Sequence, residues 1–491
     1  MQYALFLILT NKINLFCVKF YKGQNLKQKL STKNKVCYGI GNLGYGTISQ
    51  TMSNFIMFFG TSVLGVPGTL VGIAVAISAF WDGLGDPIIG YISDRHKSKK
   101  FGRRLGFMLV ATFGMAVFNM LLWSIPSSLG TGFKFCWLLV CLVSIETFNT
   151  FFATPYVALG IDIAPDYNDQ SSLQGFKTAF FIVGMILPTI LMMVFMPSKD
   201  GVGQLVQTGY INISYVTSSL CIVCGALCII GTIKRAKAMP DFDTEQKERN
   251  AFFKIFYNFF KTLKNKNFSP LIFGYSVALI AAAFLMSVGM HLFTYSFHFN
   301  STQISLTLGA LFVGAILSQP FWIFLSKRID KKPALNVALT LLLAGLFVVG
   351  VIFALRLIMP INLCFFLILF SVLICGFGTG ALYSLPISMF ADVVTLEKLK
   401  SKENKTATYS GYMTFAYNIA NSVALLIIGV LLDLIKFNPK EPVQALKVQN
   451  ALGIIVIVGC SLSIGGAMII FNKYKLTRSD ILKQQMRAKR K

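Results

Sequence analysis

The chain has 491 residues, of which 55% are hydrophobic, 13% aromatic and only 13% charged. Soluble proteins carry about 25% charged residues, so a set of soluble domains, a disordered chain and a secreted disulfide scaffold are all excluded. The apolar content suffices for roughly twelve spans of ~20 residues each. A formal net charge of +26 would suit a nucleic-acid binder, unless its distribution follows membrane topology.

Residues 1–35 open the chain as an extension. Tyr3 to Leu9 is apolar but stops at Asn11 and Lys12, too short to span and without the basic start and cleavage site of a signal peptide. It is expected to lie at the cytoplasmic membrane surface. Apolar runs then fall at 36–60, 69–93, 105–126, 133–160, 174–197 and 213–234. A charged linker, 235–269, separates these from runs at 270–299, 304–326, 333–356, 360–391, 408–436 and 449–472, and a basic tail occupies 474–491. Each run is long enough to cross ~30 Å of hydrocarbon as a helix. The expected fold is an all-α polytopic membrane protein with twelve transmembrane helices in two six-helix bundles, 36–234 and 270–473.

Charge fixes the orientation. With both termini cytoplasmic, 39 of the 45 Lys and Arg residues lie on the cytoplasmic side, a strong positive-inside bias. The basicity is topological and nucleic acid is not a partner. The second run ends Ser93-Asp94-Arg95 and the eighth ends Ser326-Lys327-Arg328, 233 residues later, as a duplicated six-helix unit would produce.

Ionisable groups within spans carry the chemical information, since each costs at least ~2.5–3.5 kcal/mol at the bilayer centre unless it meets water or a partner. Asp82 and Asp86, in Trp81-Asp-Gly-Leu-Gly-Asp-Pro87, lie on one helical face one turn apart. Two close carboxylates share a proton or hold a cation, and oxygen ligands suit a hard ion. In the fourth span Glu146 shares a face with Asn149 and Ala153; it serves substrate or proton handling, or is simply bonded to a neighbouring helix. Tyr38, Asn42, Tyr45 and Ser49 recur at helical spacing in the first span and are read as facing a cavity or another helix, the cavity being the favoured reading. His291 and His298 have no carboxylate motif beside them and are read as bonded structural residues. Cys221, Cys224 and Cys228 are read as dry packing groups.

These motifs resemble a known family. Trp81-Asp82-xxx-Asp86-Pro87, Ser93-Asp94-Arg95 and Phe101-Gly102-Arg103-Arg104 are similar to the second helix and following loop of the melibiose-permease-like glycoside–pentoside–hexuronide:cation symporters, within the major facilitator superfamily. Tyr38 to Gly44, Thr154-Pro155-Tyr156 and Ala391-Asp392-Val393-Val394 agree, and the likeness covers about residues 36–472. The resemblance implies that Asp82 and Asp86 form the coupling-cation site, with the Thr150 hydroxyl at a ligand position. The family pattern's third carboxylate falls at Ala153 and its first-span carboxylate at Gly46. Its fifth-span base falls at Met185 and its eleventh-span lysine near Tyr417 or Asn418. Asn42, Tyr45, Glu146, Asn149, Tyr417 and Asn418 are the expected substrate residues. Asp94, Arg95, Arg103, Arg104 and Asp392 are the expected gating residues.

Other classes fare worse. Gly83-Leu84-Gly85-Asp86 matches part of an intramembrane aspartyl protease motif, but that chemistry needs a Tyr-Asp pair and the sequence has none. There is no His-Glu-x-x-His and no Gly-x-x-x-x-Gly-Lys loop. The expectation is a carrier rather than an enzyme: a monomeric plasma-membrane symporter, without cofactor, coupling Na⁺, Li⁺ or H⁺ to uptake of a sugar or glycoside by alternating access. A lysolipid or other organic solute on the same fold is the alternative.

Overall fold

In the computed structural model, the described residues are 30–95, 101–102, 104–164, 167–196, 203–237, 262–401, 406–439, 441, 443–477 and 480. The extension up to residue 29, linker residues 238–261 and most of the basic tail therefore lie outside them. The first half consists of α1 (Thr32–Phe58), α2 (Gly68–Arg95), α3 (Leu105–Trp123), α4 (Thr131–Ile163), α5 (Tyr167–Phe195) and α6 (Gln207–Lys237). The second consists of α7 (Phe268–His291), α8 (Ser301–Leu317 and Gln319–Ile329), α9 (Lys331–Leu355), α10 (Ile361–Ser401), α11 (Thr406–Leu434) and α12 (Leu446–Asn472).

Ten of these helices are long and apolar enough to cross a membrane on those grounds alone. The eleventh is α8, which bends by 43° between its two segments. Pro320 sits in the first turn of the second segment, where its missing N–H leaves the helix ladder open. The twelfth is α1, which falls short of the apolar test because it carries Tyr38, Asn42, Gln50 and Asn54. It can be polar because it is interior, packed against α5, α6 and α7. Lipid contact falls to other faces, where Phe347, Phe366 and Leu462 stand exposed.

The two halves repeat one packing scheme. In the first, α1 packs on α5 and α6, α2 on α4, and α3 on α4 and α6; in the second, α7 packs on α11 and α12, α8 on α10, and α9 on α10 and α12. Between halves, α2 meets α11, α5 meets α8, and α1 meets α7. The duplication reaches single turns. Both α1 and α7 end in a π-helical turn, Phe59–Val63 and Leu292–Ser296, again 233 residues apart. One face of the bundle, hereafter the basic face, carries Arg104, Lys234, Arg235, Lys331, Lys332 and Lys473.

Bonds that cross between the halves cluster at the opposite, far face. His291 pairs with Thr61 at 2.7 Å, and Gly68 and Thr69 donate their N–H groups to the two carboxylate oxygens of Asp433, each at 2.7 Å. Ser301 donates to the Met196 carbonyl at 2.7 Å, and Gln204 donates to the Phe299 carbonyl at 3.2 Å. Beside the Asp433 clasp, α2 and α11 touch backbone to backbone. A Cβ on Gly429 would come within 2.3 Å of the Gly68 carbonyl oxygen.

Near the basic face, the Leu30 N–H and the Lys35 ammonium bond Asp169 at 2.7 and 2.9 Å, tying the start of α1 to α5. Those bonds, with Leu30 first, hold the Asp169 carboxyl below the ordinary carboxylate range. A depressed carboxylate contributes stability above its unfolded pKa, ~3.9, and loses it as pH falls through the lower folded value. The thermal-midpoint gap between wild type and Asp169→Asn is therefore expected to stay constant from pH 8 to about 5 and close only below about 4. At the far face, Gly429→Val is expected to force α2 and α11 apart at a cost of about 1–3 kcal/mol. Maleimide labelling of an introduced cysteine, Ser62→Cys, should then rise roughly tenfold, since 1.4 kcal/mol is a factor of ten.

Candidate functional site

The sequence-derived polar stripe of α1 divides by depth. Toward the basic face it is locked into other helices. The Tyr38 hydroxyl donates to the Tyr156 carbonyl at 3.0 Å and the Tyr156 hydroxyl to the Tyr38 carbonyl at 2.8 Å, with the rings stacked at 4.3 Å. Asn42 is buried, and its amide donates to the Lys177 carbonyl at 3.1 Å. This corrects the expectation for Tyr38 and Asn42, which face helix contacts and not the cavity. Further along, Tyr45 and Ser49 do line it.

The cavity, about 400 Å³, lies between the halves. From the first half it receives Tyr45, Gln50, Asp82, Glu146 and Asn149, and from the second Tyr275, Tyr383, Tyr417, Asn418 and Asn421. Asp82 sits at the joint. The Asn418 amide of α11 donates to its Oδ2 at 3.2 Å. The Thr150 hydroxyl of α4 lies 2.9 Å from its Oδ1 and 3.0 Å from the Glu146 carbonyl oxygen. A hydroxyl has one proton and two lone pairs, so Thr150 can donate to Asp82, or donate to the carbonyl and turn its oxygen to a cation. Asp86, one turn on, accepts from the Thr154 hydroxyl at 2.9 Å. Glu146 Oε2 accepts from the Asn149 amide at 3.0 Å.

No Lys, Arg or His is among the described residues lining this cavity. Its carboxylates thus meet only neutral donors, and their charge calls for a cation or a proton. Among the described residues no three of His, Cys, Asp or Glu converge as a metal cluster would require. A second cavity of about 90 Å³ adjoins the first within the second half. Its walls are apolar, with Leu311 of α8, Leu342 of α9, Val372 of α10 and Val456 of α12, and it shares Leu279, Ala282, Met286 and Tyr383 with the polar cavity.

The expected gating residues take different places. Asp94 and Arg95 end α2 with side chains outside the described set, as is Arg103. Arg104 Nε lies 2.7 Å from Asp162 Oδ2, joining the start of α3 to the end of α4. Lys331 pairs with Asp392, joining α9 to α10 at the corresponding place in the second half. Both pairs tie helices within a half. Sequence spacing missed Gln50, Tyr275, Tyr383 and Asn421; only Asn421, one turn beyond Asn418, carried a periodic signal.

The model of the MFS/sugar transport protein family matches residues 37–478. The chain belongs to that family. It is a secondary transporter of the major facilitator type. As a family member it is 25% identical to an uncharacterized symporter of Synechocystis, over 94% of this chain and 98% of that one. It is 23% identical to sodium-dependent lysophosphatidylcholine symporter 1 of Xenopus tropicalis, over 92% and 88%. A sphingosine-1-phosphate transporter of the same frog is 22% identical over 92% and 90%. The fold is that of a bacterial homolog of the human lysosomal transporter Spinster in an inward-facing, unoccupied conformation: TM-score 0.64, 12% identity, covering 93% of this chain and 99% of that one.

Removing the Thr150 hydroxyl leaves Asp82 Oδ1 short of a bond to a charged acceptor, worth about 1.5–3 kcal/mol. Thr150→Val is expected to lower the thermal midpoint of the detergent-solubilised family member by several degrees. Thr340→Val, whose exposed hydroxyl bonds only within its own helix, should leave it unchanged.

Proposed function

We propose that the chain is a cation-coupled symporter that carries an amphiphilic organic solute by alternating access. The basic face is cytoplasmic, both termini lie there, and the far-face bonds form the outer gate of an inward-facing state. The linker, 235–269, is the cytoplasmic connection between the two bundles.

One observation carries the coupling. Asp82 bonds α4 of its own half through Thr150 and α11 of the other half through Asn418. A cation arriving at Asp82 and Thr150 competes with the Asn418 amide, so its binding biases the contact on which the halves rock. Na⁺ is the favoured ion, because the lysophosphatidylcholine relatives are named as sodium-dependent. One inward positive charge supplies ~2.3 kcal/mol per 100 mV, about a fifty-fold gradient.

The amphiphilic substrate rests on the apolar slot that shares Leu279, Ala282, Met286 and Tyr383 with the polar cavity and on relatives named for lysolipid and sphingosine-1-phosphate transport. A sugar or glycoside is the second reading, favoured by the hydroxyl and amide groups of Ser49, Gln50 and Asn421. Tyr45, Glu146, Asn149, Tyr417 and Asn418 are the substrate-facing groups in either case.

Purified protein in liposomes with an inward Na⁺ gradient is expected to accumulate labelled lysolipids above labelled glycosides. Asp82→Asn and Asp86→Asn should each cut accumulation at least ~10-fold, since a shielded ion–carboxylate contact is worth several kcal/mol, while downhill exchange partly survives. Replacing Na⁺ by K⁺ should have the same effect. Persistent accumulation in K⁺ that a protonophore abolishes would assign the coupling to a proton instead.

A further inference from the structure

The central cavity is built for a positive head group. Two carboxylates, Asp82 and Glu146, face it, and no base is among its described lining residues. A phosphate or carboxylate entering it without a positive group of its own would meet no cationic partner among the described residues and would lie against two acids, an arrangement that costs several kcal/mol in a shielded site.

Two further features point to a donor-bearing cation. Asn149 is only 9% exposed and lines the cavity. Its amide nitrogen is engaged by Glu146, and its Oδ1 has no hydrogen-bond partner. A buried acceptor of this kind suits an N–H or O–H group of a ligand. Four tyrosines, Tyr45 from the first half and Tyr275, Tyr383 and Tyr417 from the second, also line the space. Aromatic faces beside a carboxylate are the usual surroundings of an alkylated ammonium.

We propose that the transported solute carries an organic ammonium, seated between Glu146, Asn149 and the tyrosines, with its apolar part in the adjoining slot. This rests on the symporter reading with an amphiphilic substrate. The two acids then hold different ligands, Asp82 with Thr150 the coupling cation and Glu146 with Asn149 the substrate.

The test is equilibrium binding by the full chain in lipid nanodiscs, in Na⁺ and without a gradient. The probes share one short alkyl tail: hexylammonium, hexyl glucoside and hexyl phosphate. The ammonium is expected to bind at least ~10-fold more tightly than either other probe, as a desolvated cation–aromatic contact of about 2 kcal/mol implies. Glu146→Gln should bring it within about threefold of the glucoside, while an unchanged size-exclusion profile reports an intact fold. Tyr417→Leu should weaken the ammonium more than the glucoside, and Tyr417→Phe should retain the preference for the ammonium. Equal or tighter binding of the phosphate or glucoside, binding of none of the probes, or an ammonium preference that survives Glu146→Gln would overturn the proposal. Loss of Na⁺-driven accumulation with the ammonium preference intact would instead sink the symport reading alone.

Discussion

Asp82 is a carboxylate at the junction of two bodies, and the donors that reach it are a hydroxyl and an amide, both uncharged. In water such a group needs nothing more. At mid-depth in a bilayer it does, because a charge held only by neutral dipoles remains expensive. Much of the surrounding architecture follows from that imbalance. The polar first helix is kept interior, a cavity with polar walls reaches the acid, and a donor from the other half completes its shell. A site left short of positive charge by its own residues takes that charge from what it binds.

The duplication explains how the imbalance is held in place. Five helix packings recur in each half, and the ion pairs Arg104–Asp162 and Lys331–Asp392 occupy matching ends of α3–α4 and α9–α10. Each half is therefore stiffened internally, while the halves meet most closely where α2 packs along α11, from the Gly68–Gly429 contact to the Asp82–Asn418 bond. The halves differ where it matters. The acids Asp82, Asp86 and Glu146 all belong to the first, and the apolar slot belongs wholly to the second. Chemistry has diverged on a shared frame of helices within one chain.

The spans and the one-turn spacing of Asp82 and Asp86 were legible because hydropathy and helical spacing act along the chain. Depth was not. Tyr38, Asn42, Tyr45 and Ser49 share a face, but that face meets α4 and α5 at one level and the cavity at another, so periodicity alone could not separate them. The second half was harder to read. Tyr275 and Tyr383 stand singly in apolar runs, and nothing local distinguishes a tyrosine facing a cavity from one facing lipid. Ala153 and Gly46 stand where the resembled family's pattern has carboxylates, whereas Glu146, bonded to Asn149, is an acid that does line the cavity.

The reciprocal bonds between Tyr38 and Tyr156 make α1 and α4 one lever near the basic face. With them go Tyr45, Glu146 and Asn149, so the groups that would grip a polar head keep their mutual spacing through any rocking motion. A tail lodged in the other half has no such fixed relation to them. An elongated solute would be held at two ends by two moving bodies, and each opening stroke would stretch it across the divide. On the proposed reading of an amphiphilic solute carried by alternating access, release would begin at whichever end lets go first, and the length of the solute would become a variable that sets its rate.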